Sequence, residues 1–491
     1  MKYIFFSEEG SEHIRRNKGA EIIRIKHYLK HLISLPDTDI LNPFCVACNI
    51  DRKADRDIWS VFAKEMKIYA IGILWLADGK KEYSKEAEEL LKFFINFRHT
   101  SQKKENAFSK KTYFETASVM RALAFALSIS EKNGIYEDYF FKTRKKLAYS
   151  CERLCSIIKN SDAFNTGFSA YGVESFDIIT AIYVCASLLK DYDDRAENWI
   201  NLSFEYAEKY MSGKKFSGIL DWEMTLYNLC LIYNASDNMG RNAKSIFSYI
   251  EKNRYFALSA TGPMCAQVSQ FDQSIDIDIH NPLNGLLSKI LAEKFKDPYI
   301  AWGIKTSPVK KYYHPLEIFY SHTDTECKSP KEFMGSVVSD ASGYAFIRSG
   351  WSEKDSLITL KSSGAQSEFS HKDQNNMEIF HGSRKMLIES GTCYTGHPNY
   401  EIRYLGTHAH NSILIDGKPQ LPRISRNTGL TDFITTEKYD MITGDASAAY
   451  SKAKTYNRNI LFLKPDILIV YDYISLNSIG SAEWLWHTPG S

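Results

Sequence analysis

The apolar period changes near residue 340, and no other feature constrains this chain as much. From about residue 11 to 300 the apolar residues recur every three or four positions, the spacing that lines one side of an α-helix. The runs EMKIYAIGILWLADG, YFETASVMRALAFALSIS, FDIITAIYVCASLLKD and WEMTLYNLCLIYNAS each span about four turns and end in Gly, Ser, Asp or Asn. More polar helical segments lie between them, such as KEAEELLKFFINF, TRKKLAYSCERLCSII and ENWINLSFEYAEKYM. The apolar helices begin near residues 65, 113, 176 and 222, so helical pairs return at roughly 45 to 60 residues. That spacing predicts stacked helical hairpins, either an open solenoid or a closed (α/α) toroid.

Beyond residue 340 the period is two. GYAFIRSG, SLITLKSSG, NMEIFHG, KMLIES, NSILIDG and ILFLKPDILIVYDYISL are short β-branched or aromatic runs separated by turn formers, the pattern of an antiparallel β-sandwich. Residues 306–340 carry three of the 13 prolines and little periodicity, and are read as a linker. The expectation is therefore a helical domain over 1–305, a linker, and a sandwich over 341–491 that stops at EWLWHTPGS as if incomplete. A chain of 491 residues is longer than one hydrophobic core usually serves.

Composition narrows the function classes. Lys plus Arg (61) nearly balances Asp plus Glu (59), which gives no reason to expect nucleic acid or a membrane surface as partner. No apolar run is long enough to span a bilayer, and MKYIFFSEEG has too short an apolar stretch for a secretory signal, so a cytoplasmic location is expected. Nine cysteines without framework spacing fit reduced thiols, and CVAC (Cys45, Cys48) is a lone pair. The aromatic share of 13% suits carbohydrate recognition and a large core equally.

The chemistry-bearing residues gather in SEFSHKDQNNMEIFHGSRKMLIESGTCY and YEIRYLGTHAHNSILIDGKPQ. Together these stretches supply His371, Asp373, Glu389, His408 and His410, imidazoles and carboxylates of the kind zinc takes, or polar residues on loops between strands.

A helical half followed by GYAFIRSGW, FSHKDQNNMEIFHGSRKMLIESG, YEIRYLGTHAHNSILIDGK and RNILFLKPDILIVYDYI resembles the heparinase II/III-like family of polysaccharide lyases over the C-terminal 150 residues. The resemblance implies an (α/α) toroid followed by a β-sandwich. It also implies a structural zinc on His371, Glu389 and His410, with Glu389 where an aspartate is usual. Phe369 stands where the family usually has a histidine that contacts substrate, and His408 and His280 are the nearest replacements. The family's Asn-His pair has no counterpart at the expected place, which SAYGVESFDIITAIYV occupies with Tyr171, Glu174 and Asp177.

The activity implied is β-elimination on an acidic, uronic-acid-containing oligosaccharide. It requires neutralising the uronate, removing the C5 proton and protonating the leaving oxygen. The resemblance gives Tyr227, in DWEMTLYNLC, as the proton carrier, and Tyr400 and Arg403 as substrate-facing residues, the guanidinium suiting a carboxylate or sulfate. The Gln- and Asp-rich stretch 259–281 reads as a long loop, with Gln267, Gln270, Asp272 and His280 able to bind sugar hydroxyls. Two other readings stay open. One is a glycoside hydrolase using Asp177 with Asp272, and the other a non-catalytic glycan binder. In the lyase reading the loop from His397 to His410 faces the mouth of the helical domain and brings Arg403 towards Tyr227 or His280.

Overall fold

In this computed structural model residues 4–6, 8–16, 20–37, 56–78, 82–97, 110–133, 137–160, 172–213, 216, 218–262, 283, 285–307, 314–320, 325–339, 343–363, 371–382, 384–391, 400–422 and 429–490 are described. Tyr171, Gln267, Gln270, Asp272, His280, Phe369 and the Cys45–Cys48 pair lie outside them.

Thirteen helices are described before the first strand: α1 (Glu8–Arg16), α2 (Ala20–Ser34), α3 (Arg56–Asp78), α4 (Ser84–Asn96), α5 (Lys110–Asn133), α6 (Phe140–Asn160), α7 (Gly172–Leu189), α8 (Ala196–Gly213), α9 (Ile219–Asn238), α10 (Lys244–Asn253), α11 (Phe256–Ser259), α12 (Leu286–Phe295) and α13 (Pro298–Thr306). Two kinds of apolar pattern sort them into two rings. In α7 every residue from Ser175 to Leu189 is buried, so the helix must be surrounded by protein. Its polar members turn inward on their own backbone, Thr180 Oγ1 donating to the Phe176 carbonyl at 3.0 Å and Ser187 Oγ to that of Val184 at 2.7 Å. By contrast α4 buries only Ala87, Leu90, Leu91 and Phe94, one stripe at helical spacing. The helices α3, α5, α7 and α9 contact one another in turn and form the inner ring; α4, α6 and α8 cover them from outside. The result is the (α/α) toroid, one of the two arrangements that the spacing of helical pairs allowed and the one that the resemblance implied.

The first described residues belong to this core. Phe6 stacks on Phe319 with ring centroids 3.7 Å apart, Phe5 meets Phe125 edge-on at 5.6 Å, and Tyr320 donates to the Phe5 carbonyl at 3.1 Å. Phe319 and Tyr320 lie on the 3₁₀ segment Pro315–Tyr320, which is buried throughout. Part of the segment read as a linker is therefore core, and its aromatic residues take it there despite the absence of helical period.

The strands are β1 (Val337–Ser339), β2 (Tyr344–Arg348), β3 (Ser356–Lys361), β4 (Asn376–His381), β5 (Arg384–Leu387), β6 (Ile413–Ile415), β7 (Gly429–Thr435), β8 (Tyr439–Asp445), β9 (Ala453–Leu463), β10 (Ile467–Leu476) and β11 (Ala482–Trp484). They form an antiparallel sheet β1-β2-β3-β4-β5, a second sheet β10-β9-β8-β7 and a small pair β11-β6. Strands β2 and β3 are buried at every position, and their alternation explains why. Tyr344, Phe346, Leu357 and Phe380 join the toroid's core, while Ala345, Ile347, Ile358, Leu360 and Met377 pack against Ile442, Ile460 and Phe462 of the second sheet. The first sheet is thus a middle layer with the toroid on one face and the second sheet on the other.

Phe256 meets Phe346 edge-on at 5.5 Å, and Arg348 donates to the carbonyls of Ser259 and Thr261 at 2.6 and 3.1 Å, joining the toroid to this layer. Gly343, in the turn just before β2, has φ +67°, and a Cβ there would stand 2.3 Å from Ser363 Cα. Gly343→Ala is therefore expected to cost about 1–3 kcal/mol, read as an earlier urea midpoint, because neither the backbone angle nor the neighbouring chain admits a methyl group. Gly335→Ala, where a Cβ meets nothing within 4 Å, is the control and should leave the midpoint in place.

Candidate functional site

Cross-strand register assigns the site to one face of the middle sheet. Lys361 pairs with Asn376 and with Tyr344, so all three side chains share the face that packs on the toroid. From this edge the chain turns through residues 371–375, where His371 and Asp373 are 4% and 2% exposed. The segment 407–412 comes alongside, Lys372 N donating to the Leu405 carbonyl at 2.8 Å and Thr407 Oγ1 to that of Lys372 at 3.0 Å. His371, Asp373 and His410 each offer a ligand atom here, all within 4.8 Å of one another and all buried. The two imidazole centroids are 5.3 Å apart, with the Tyr400 ring 6.5 Å from that of His371.

The carboxylate in this group is Asp373, where the resemblance implied Glu389. Glu389 stands behind His410, its Oε1 2.5 Å from Nδ1, while its other oxygen accepts from the Asn376 amide. A carboxylate in that place fixes the ring's tautomer and orientation, so the nitrogen His410 can offer to an ion is Nε2. Two imidazoles and a carboxylate, buried together with an orienting carboxylate behind one of them, fit zinc in their donor chemistry.

The remaining polar residues of the KDQNN stretch hold the loops in place. Gln374 Oε1 accepts from Ser363 N at 2.9 Å, Asn375 Nδ2 donates to the Gly444 carbonyl at 2.8 Å, and Asn376 Oδ1 accepts from Asn411 N at 2.7 Å. Asn375 adopts φ +58°, and a Cβ on Gly444 would lie 2.3 Å from its Oδ1, so the close approach requires glycine at 444. Arg458 on β9 donates from Nη1 to the carbonyls of Asn375 at 2.7 Å and Asn411 at 2.6 Å, and meets Asp472 with Nε and Nη2 at 2.9 and 2.8 Å. One guanidinium therefore joins both segments that carry the site to the second sheet. No short motif links Arg458 to the cluster, although an arginine at an inward position of a long strand was a readable signal.

In the toroid, successive inner helices contribute Glu65, Arg121, Asp177 and Tyr227. Arg121 donates to Glu65 at 2.8 and 3.2 Å and to Asp177 at 2.5 Å, and Ser118 and Tyr69 also donate to Glu65, at 2.5 and 2.7 Å. Burial pushes the Tyr227 hydroxyl well above its ordinary value; Arg121 opposes the shift, and Glu65 and Asp177 add to it. At neutral pH this phenol keeps its proton. Glu65, Tyr69 and Arg121 escaped the sequence reading, and the signal was a charge within each of two largely apolar helices. Asp177 is held by Arg121, and Asp272, its partner in the hydrolase reading, lies outside the described residues. Arg403 and His408 are exposed, Arg403 on the turn Tyr400–Leu405, which is wound as a π-helix, and His408 with its carbonyl accepting from His487 Nε2 at 2.9 Å.

Residues 335–491 match the heparinase II/III-like C-terminal family model. No curated protein matches the sequence. The heparan sulfate lyase HepC from Pedobacter heparinus is similar in structure, with TM-score 0.59 at 13% identity over 97% of this chain and 72% of that one. A heparinase III gives TM-score 0.60 at 12% identity, over 97% and 73% of the two chains. At such identities the likeness is one of fold.

Replacing Arg458 by Met would leave Asp472 as a buried unpaired charge and release two carbonyls, an expected loss of about 3–5 kcal/mol. Asp472→Asn keeps the two carbonyl bonds and should cost less. Urea unfolding followed by tryptophan fluorescence checks the order, and equal losses would mean that the carbonyl bonds contribute little.

Proposed function

Because residues 335–491 match the heparinase II/III-like C-terminal family model and the fold is similar to that of heparan sulfate lyases, we propose that the chain is a lyase that cleaves uronic-acid-containing oligosaccharides by β-elimination. The observation that carries this reading is Tyr227, a phenol on the inner ring of the toroid beside the Glu65–Arg121–Asp177 group and held protonated by burial. A protonated phenol suits the step that gives a proton to the leaving glycosidic oxygen. Arg403, exposed on its turn, would hold the substrate's carboxylate or a sulfate by two parallel hydrogen bonds, while His408 and Tyr400 are the candidates for the C5 proton.

A zinc ion on His371, Asp373 and His410 would act structurally, pinning the loop that follows β3 to the segment that precedes β6. Because the relatives of similar fold are heparan sulfate lyases, heparan sulfate fragments are the first substrate to try, followed by other uronate polymers. Phe369, where the family has a histidine, favours a second reading, a homologue that binds such glycans without turnover. Binding of the same fragments without a rise in absorbance from a C4–C5 double bond would select it.

For the lyase, Tyr227→Phe keeps the ring's packing and deletes the hydroxyl, so stability should change by about 1 kcal/mol or less. Its kcat, followed by product absorbance, should fall by about 10² or more. Unchanged turnover would move the acid to Tyr400.

A further inference from the structure

Lys361 is unusual among the residues around the two histidines. It ends β3 on the toroid-facing side of the sheet, is only 5% exposed, and places its ammonium on the Asp373 carboxylate. Its Nζ also lies 5.4 Å from the centre of the Tyr344 ring. A lysine this deeply buried keeps its charge only while a counter-charge faces it, and Asp373 supplies one at salt-bridge distance. The same carboxylate belongs to the group with His371 and His410 that could hold a metal ion. Two cations therefore claim the Asp373 carboxylate, and their positive charges would meet on it in a site from which water is largely excluded.

We propose that Lys361 is a built-in competitor for the cation site. In the metal-free protein its ammonium neutralises Asp373 and holds the loop after β3. A divalent ion of the zinc type joins His371, Asp373 and His410 by displacing that ammonium from the carboxylate. Glu389 keeps its place behind His410 in both states, since its oxygens are engaged by His410 and Asn376. The consequence is a site whose metal affinity is held down by the chain itself and whose loop is held by Lys361 until the metal takes over that task. This proposal concerns cation binding alone and is independent of the lyase reading.

The test titrates zinc into chelator-stripped full-length protein against a chromophoric chelator, comparing wild type with Lys361→Met, Lys361→Gln and Lys361→Arg. The neutral variants should bind zinc roughly tenfold or more tightly than wild type, the size of effect that partners of metal ligands commonly have, and Lys361→Arg should not. The Met variant without zinc should melt below wild type and regain stability as zinc is added. Adding Asp373→Asn to Lys361→Met should remove the gain. Should both neutral variants fail to fold, amine acetylation of the wild type, quantified at Lys361 by mass spectrometry, should rise when zinc saturates the site. Equal or weaker zinc affinity in the neutral variants, zinc binding in none of the proteins, or acetylation of Lys361 indifferent to zinc would overturn the proposal.

Discussion

Arg458 donates to the carbonyls of Asn375 and Asn411 and pairs along its other edge with Asp472, and the geometry of the sandwich site depends on this one side chain. The residue is wholly buried, so its charge is tolerable only because Asp472 and the two carbonyls surround it. Those carbonyls lie at the end of the loop bearing His371 and Asp373 and immediately after His410. A lysine in its place could not hold two carbonyls and a carboxylate in one plane, since it lacks the forked, planar donor set. The ligand group thus inherits its shape from the second sheet, a layer away from the residues that compose it.

The middle sheet makes that inheritance possible. Its alternation commits odd and even positions to different partners, Tyr344 and Phe346 to the toroid and Ala345 and Ile347 to the second sheet. A register slip of one residue would exchange the two faces, moving Lys361 and Asn376 away from the toroid side. Both domains therefore enforce the register, and the polar edge of the sheet is placed at their boundary, where ligand sites commonly form.

The period change near residue 340 was enough to read both halves, because the inner helices are strongly apolar and the strands alternate, so each pattern has one way to be buried. Register was not legible, and with it went the identity of the carboxylate. The residues offered Asp373 and Glu389 alike and the resemblance pointed to Glu389, and only the folded chain puts Asp373 into the group and Glu389 behind His410. The Arg121 group was hidden for a similar reason: its members are about one helical pair apart in sequence and meet only when the toroid closes. Arg121 within one apolar run and Glu65 at the head of another were the available sign, and they meant a buried ion pair, not an interrupted helix.

A shared logic runs through the two buried clusters. In the toroid one guanidinium faces two carboxylates, Glu65 and Asp177. In the sandwich Asp373 and Glu389 face one ammonium and two imidazoles. Among these described residues the carboxylates exceed the permanent cations by one in each case, and low dielectric makes that excess costly unless a proton or a further cation answers it. The toroid answers with phenols, Tyr69 donating to Glu65 and Tyr227 held protonated beside it. The sandwich answers with imidazoles, which can take either a proton or a metal ion. The difference in neutral partner is what separates a cluster suited to giving up a proton from one suited to receiving a cation.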